Sequence, residues 1–596
     1  MEPVRERKAM DPAYEWDLTT LFKNDTAWEE ALPGVDRMAE KLMAYKGKLK
    51  DRDTILAFFR GETEMGLLLD DLFEYAFLRR SEDTSADEGQ KMYAKIYSRY
   101  VQIEAQLSFA DPEILALPEE TLREITEDPA MKEYHYTMVK LLRRKPHTLE
   151  ASEEKLLASF GEVFGAPKQI SENLMDADMV FDPARDAEGN DHEVSGASYI
   201  LLQSSPDRPL RKNAFISFYK GYRQHSNTFA ATYAAAVKAA GTEARIRRYE
   251  GARAMAMAEE AVPASVYDNL VSSVRAHMDA MYRYVALRKK LLGVDELHYY
   301  DVYAPLTSGV QKSYTYEEAQ DMVLDTVSVF GAGYTDVVKR AFRERWIDVY
   351  PNKGKTGGAF SAGTYKSNPF ILTNFSGTLD SVSTIAHEMG HSMHTYFSNN
   401  TQQPQNAQYT LFVAEVASTV NENLLVEKLL ASARDPREKL AYLNQYLEAF
   451  KGTVYRQTMF AEFEREAHEL SEKGEGLSAS TLNTIYRKLI EDYFGPELVV
   501  DDEVQYEWAR IPHFYRPFYV YKYATSYSAA VVLSEAILTE GQPAVDRYLR
   551  FLSLGGSMDP IEELKTAGVD FTTPVPVDTA LEKFSRVIDA AEAAEL

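Results

Sequence analysis

The segment TLDSVSTIAHEMGHSMHTYF, residues 378–397, constrains this chain more than any other. Leu379, Val382, Ala386, Met389 and Met393 recur at three- and four-residue spacing, which predicts a helix over 379–397, capped by Thr378 or Ser381, with one stripe against a core. On such a helix His387 and His391 stand one turn apart on the same side, where two imidazoles can converge on a single cation. Glu388 sits beside them. This HExxH arrangement couples two metal-ligating histidines to a glutamate that acts as general base toward an attacking water.

A catalytic zinc takes a third protein ligand and keeps one position open. The chain has no cysteine, so the ligands are confined to histidine and carboxylate. In the HExxHxxGxxH class the third ligand follows the second histidine by six residues, after a glycine at the third; here those positions are His394 and Phe397, which excludes that class. The other arrangement draws a glutamate from a second helix. Glu415 fits, because it lies among Leu411, Phe412, Val413, Val416 and Val420, where an unpaired carboxylate would cost several kcal/mol. The polar stretch SNNTQQPQNAQ between the two segments predicts a turn that lets their helices run side by side. Glu422, two turns beyond Glu415 on the same face, is either a partner of a ligand or a competing ligand. His394 reads as a contact to substrate or to a ligand.

Elsewhere the patterning is mostly helical. Residues 16–171 carry amphipathic runs such as DLFEYAFLRRS and KMYAKIYSRYVQIEAQLSFA, and a turn-rich connection or β-hairpin follows in MVFDPARDAEGNDHEVSG. A soft boundary there divides a helical N-terminal region, 1–198, from a second region, 199–596. Helical spacing resumes through TFAATYAAAVKAAGTEARIRRY and VYDNLVSSVRAHMDAMYRYVALRKKLLG. Residues 352–378 interrupt it, with Gly354, Gly357, Gly358, Gly363 and Gly377 around the β-prone runs AFSAGTY and PFILTNF. They predict a small sheet leading into the HExxH helix, with PFILTNF as a strand whose free edge could pair an extended peptide. Gly357, Gly358 and Gly363 could serve as hinges or as static turns.

Composition removes other classes. A formal net charge of −26 repels phosphate backbones and anionic lipid heads, so nucleic acid and membrane surfaces are poor partners. No stretch approaches the ~18 apolar residues of a membrane helix, and the first residues lack the apolar core of a signal peptide. With no cysteine, these features predict a cytoplasmic protein.

NKGKTGGAFSAGTY, PFILTNF, HEMGHSMH, FVAEVAST and HFYRPFYVYKYATS, in this order, resemble the oligoendopeptidase F branch of the thimet-oligopeptidase-like zinc peptidases, from AYEWDLTTLF near Trp16 to about residue 580. The resemblance implies a mainly α, multi-helical ellipsoid of two lobes with a deep central channel, a small sheet next to the HExxH helix, and one zinc ion held by His387, His391 and Glu415. It implies an endopeptidase acting on internal bonds of short oligopeptides by Glu388-assisted attack of water. It also implies that His513 and Tyr523 contact the substrate carbonyl, with Tyr519 and Tyr521 as weaker candidates. A carboxydipeptidase of the same fold is the alternative enzyme, with Arg510 or Arg516 receiving the substrate C-terminus. A non-catalytic peptide-binding protein is the alternative outside enzymes, and an intact Glu388 speaks against it.

Overall fold

The computed structural model describes residues 5–306 and 312–595. It is mainly helical, with two two-stranded pairings and one three-stranded sheet among the described residues. The chain divides into two compact units: Met1–Ala151, Gln311–Leu425 and Leu533–Gly568 form one, and Ser152–Val310, Val426–Val532 and Val569–Leu596 form the other.

In the first unit, helices α1 (Asp25–Met43), α2 (Arg52–Glu82) and α3 (Asp87–Leu107) pack along their apolar stripes. Asn24 and Asp51 cap α1 and α2 by accepting the amides of Ala27 and Thr54. The core joins Trp28, Leu32, Leu72 and Ile96 to Phe370 and Leu372, so the helices and the sheet share one apolar interior. Truncating such a leucine to alanine costs about 2–5 kcal/mol. The indole N–H of Trp28 donates to the Leu72 carbonyl at 2.8 Å, which satisfies the one polar atom that the ring takes inside.

The sheet has the order β1 (Ile347–Asp348), β3 (Phe370–Leu372), β2 (Phe360–Ala362), with β1 parallel and β2 antiparallel to β3. PFILTNF therefore forms the central strand, paired on both sides, and the edge strand next to it is β2, from AFSAGTY. The central position suits a run that is buried throughout. The glycine-rich loop before β2 is anchored rather than loose. Lys355 is sealed against Asp348 at 2.7 Å, Thr356 donates to Ser81 O at 3.0 Å, and Gly354 O accepts from Thr84 at 2.7 Å. Gly354 has φ +80°, and a Cβ there would stand 2.0 Å from Asp83 Oδ1. Gly363 is a glycine of close approach, since a Cβ would meet Pro369 Cα at 3.1 Å.

The segment that carries HEMGH is helix α4 (Leu379–Thr401), capped by Thr378, whose Oγ1 accepts the Ser381 amide at 3.2 Å. Val382, Ala386, Met389 and Met393 are buried as their spacing requires. Helix α5 (Leu411–Ser432) follows.

In the second unit, the turn-rich segment forms a hairpin of Ala184–Arg185 with Asp191–His192. The long helical run of 266–293 is two helices, Ala264–Ala276 and Met278–Leu292. The break falls at His277, whose ring Nδ1 lies 2.9 Å from the Ser273 carbonyl. Helix α6 (Arg456–Glu472) packs beside Ala479–Phe494, and α7 (Tyr521–Glu540) begins after a turn through Phe518, a non-glycine residue at φ +53°. No described helix is long and apolar enough to cross a membrane.

Candidate active site

Helix α4 brings the Nε2 atoms of His387 and His391 to 3.2 Å from each other. From α5, Glu415 Oε2 lies 3.4 Å from each of them. Three donor atoms thus form a near-equilateral triangle. Ligands about 2.0–2.1 Å from a tetrahedral zinc are spaced about 3.3–3.4 Å from one another, so this donor set fits such an ion without rearrangement. His387, His391 and Glu415 are a group that could hold a metal ion. Their side chains keep 26%, 17% and 36% exposure, so the group is reachable from solvent.

Two local features let α5 come close enough. A Cβ on Gly390, inside HEMGH, would stand 2.5 Å from Ser418 Cα and 2.6 Å from Ala417 O, so only glycine permits this helix crossing. Asn421, fully buried, donates its side-chain N–H to the Ala386 carbonyl at 2.9 Å and fixes the register of one helix on the other. Sequence reasoning passed over both. The small residue within HExxH and the lone asparagine in an apolar run were the available signals.

Three carboxylates, Glu388, Glu415 and Glu422, surround the two imidazoles. Glu422 Oε1 lies 3.4 Å from His387 Nδ1, the nitrogen facing away from the triangle, so Glu422 is a partner of a donor and not a fourth donor. Burial works against charging the His387 ring, but the bond and charge of Glu422, with Glu388 and Glu415, outweigh it and carry its pKa up to about 9. For Glu415, burial is likewise outweighed, here by the His391 hydrogen bond and the two imidazole charges, and the carboxyl titrates at about 2. Ser418 also donates to Glu415 Oε2, at 3.2 Å. Glu388 is buried, which lifts its pKa above the ordinary carboxylate range against the opposing pull of His387 and His391.

His394 is elsewhere. It is 1% exposed and stacks flat on Tyr409 at 3.7 Å, so it packs the helix and is closed to substrate. Leu411, expected among the apolar neighbours of Glu415, is exposed, whereas Phe412, Val413, Val416 and Val420 are buried. On the sheet side, Ser361 Oγ of β2 lies 2.8 Å from Ser392 Oγ of α4, so the edge strand runs against the helix that carries the histidines.

His513, Tyr519 and Tyr523 belong to the second unit. Their rings gather there: His513 stands 6.0 Å from Tyr523 and 6.3 Å from Tyr519, and the two tyrosines are 5.4 Å apart. Tyr521 is 1% exposed and packs on Tyr267, which removes it as a substrate contact. Arg510 donates to Glu507 Oε1 at 2.7 Å, so of the two candidate cations for a carboxydipeptidase only Arg516 is exposed.

Comparison with known proteins decides the family. The profile of Peptidase family M3 matches residues 201–583, and that of Oligopeptidase F matches residues 113–181. The chain belongs to peptidase family M3. It is 41% identical to oligopeptidase PepF of Bacillus subtilis over 97% of this chain and 86% of that one. Group B oligopeptidase PepB of Streptococcus agalactiae is 38% identical, covering 97% of this chain and 96% of its own. Crystal structures from Chlamydophila abortus and of oligoendopeptidase-F from Enterococcus faecium, each 33% identical, superpose with TM-scores of 0.93 and 0.75, covering 99% and 96% of this chain and 100% and 99% of theirs. This M3 peptidase is thus a peptide-hydrolysing metallopeptidase, a hydrolase of the metalloendopeptidase class, on the oligoendopeptidase F branch.

Proposed function

We propose that the protein is a zinc-dependent endopeptidase that hydrolyses internal bonds of short oligopeptides, with His387, His391 and Glu415 holding one zinc ion. The observation that carries this is the triangle of donor atoms with edges of 3.2, 3.4 and 3.4 Å. Zinc in that site would polarise water and the scissile carbonyl.

Glu388, buried next to the histidines, takes the proton of the attacking water and returns it to the leaving amine, which requires one carboxylate to serve first as base and then as acid. Glu422 fixes the His387 ring through Nδ1 and keeps Nε2 directed at the triangle. An extended peptide adds to the free edge of β2, whose backbone groups read no sequence and so admit many substrates. Hydrogen-bond donors at His513 and Tyr523 meet the carbonyl oxygen as charge builds on it, a contribution of about 3–4 kcal/mol per well-placed donor. Support for these two roles comes from the resemblance of HFYRPFYVYKYATS to the family's segment and from the clustering of the rings.

The test is zinc content and cleavage of an internally quenched peptide by the wild type and Glu388→Gln. Retained zinc with turnover reduced about 10²–10⁴-fold supports Glu388 as the base. Zinc bound by both proteins with cleavage by neither, across a peptide set, would sink the reading. Peptides with amidated C-termini separate an endopeptidase, which cuts them, from a carboxydipeptidase.

A further inference from the structure

A cavity of about 810 Å³ lies within the first unit, between α2, α3, β2 and the part of α4 beyond the histidines. Thr395 and Asn399 of α4 line it. They continue the stripe of His387 and His391 by one and two turns, so the cavity begins about 6–12 Å along the helix from the donor atoms. Gly363 and Thr364, at the end of β2, form another wall. A peptide laid on the edge of β2 at about 3.3 Å per residue would reach this space two to four residues from the scissile bond.

What the walls present is one-sided. Asp70 and Glu74, one turn apart on α2, face the cavity together with the rings of Phe73, Tyr97 and Tyr100. The Glu74 Oε1 atom is shut off from solvent and has no hydrogen-bond partner, and the same holds for Oε1 of Gln405, another lining residue. Both are acceptors. Neither Asp70 nor Glu74 has a basic partner among the described residues; burial and then the neighbouring carboxylate raise them, to about 6 and about 7. Lys366 lies near Asp71, the adjacent residue, which is also held by Thr364. Two carboxylates and three aromatic rings line one cavity, and no Lys, Arg or His is among its lining residues. A face meant only for solvation would leave these oxygens wet, and a structural cluster would pair them.

We infer that this cavity is a subsite for a cationic group of the substrate peptide, an Arg or Lys side chain or the α-ammonium, held by Asp70 and Glu74 and faced by the aromatic rings. The inference rests on the endopeptidase reading above and adds a substrate class to it. A guanidinium or ammonium donates to the carboxylates of Asp70 and Glu74, neutralises the pair, and gains cation–π contact with rings that are otherwise partly in water.

The experiment uses quenched peptides of about ten residues in which a single Arg is scanned on both sides of the cleaved bond. Each is paired with the same peptide carrying citrulline, and each pair is made with a free and with an acetylated N-terminus. The readout is the Arg-to-citrulline ratio of kcat/KM, which a loss of folded enzyme does not change. For the wild type the ratio reaches about 10 at one placement two to four residues from the bond, the size of one charged hydrogen bond, and it falls to near 1 in the Asp70→Asn, Glu74→Gln double variant. If the free-to-acetylated ratio carries that tenfold effect instead, the occupant is the α-ammonium. Both ratios near 1 everywhere in the wild type, or unchanged in the double variant, overturn the subsite. Affinities of the same peptides for Glu388→Gln keep the two readings apart: binding that favours Arg without any hydrolysis by the wild type overturns the peptidase reading alone, and hydrolysis indifferent to charge overturns the subsite alone.

Discussion

Glu507 in one unit and Glu415 in the other are both carboxylates held far on the acid side of their ordinary range by basic partners, and they are built to opposite ends. Glu507 is fully buried and accepts from Tyr219, Tyr299, Tyr486, Arg456 and Arg510 at 2.7–3.1 Å. Every donor is aimed at the carboxylate itself, so no capacity is left for a ligand. Around Glu415 the partner atoms, two imidazole nitrogens, converge with Oε2 on a point that belongs to none of them, and the group stays partly open. A depressed carboxylate therefore marks a strong local field; the direction in which the partners point separates a structural knot from a site.

The largest effect that sharpens this contrast is loss of charge at the knot. Glu507→Gln leaves Arg456 and Arg510, largely withdrawn from solvent, beside a neutral amide, and should lower the unfolding free energy by about 3–5 kcal/mol, read from the denaturant midpoint, while the folded fraction still binds its metal. Loss of metal in step with stability would show that the two regions are coupled.

A pH titration of stability contrasts Glu507 with a second buried carboxylate of its unit. Glu464 accepts only the Phe518 amide, at 2.7 Å, and its other oxygen has no partner. Burial, offset in part by that bond, lifts its pKa to about 8. Its folded value is above its unfolded one, so its contribution is full below about 4.5 and is lost as pH rises toward 8, a change of a few kcal/mol. Glu507 has the reverse sign: its folded value is depressed, and its contribution is lost as pH falls below about 4.5. Glu464→Gln should flatten the fall of stability between about pH 5 and 8 and leave the acid limb unchanged. An unchanged alkaline slope would refute the assignment.

Two smaller effects probe the open site. Gly390→Ala forces α4 and α5 apart and should cost about 1–3 kcal/mol of stability together with a measurable loss of metal affinity in a chelator titration. Glu422→Gln removes the charged partner of His387 Nδ1 and should weaken metal binding about tenfold with little change in stability. Wild-type metal affinity in both variants would mean that the donors do not need this support.

How much was legible follows from how local each feature is. The face shared by His387 and His391, a cap at Thr378 or Ser381 and the buried stripe of α4 follow from helical periodicity and short-range hydrogen bonding, and they could be read directly. So could the exclusion of thiolate ligands. The fold class was legible too, because helical spacing dominates most of the chain. The pairing of PFILTNF on both edges, the packing of His394 on Tyr409, the burial of Tyr521 and the bond of Arg510 to Tyr219 were not, because each depends on a neighbour distant in sequence.

By itself the sequence determined which side chains could act as donors and which of them share a helical face, since both follow from chemistry and a period of 3.6 residues. It also narrowed the third donor to Glu415 or Glu422. Only the tertiary structure tells their positions apart, by turning Glu415 toward the Nε2 atoms and Glu422 toward Nδ1. That difference depends on the crossing of α4 and α5 at Gly390, a contact of close-packed backbones that no local periodicity encodes.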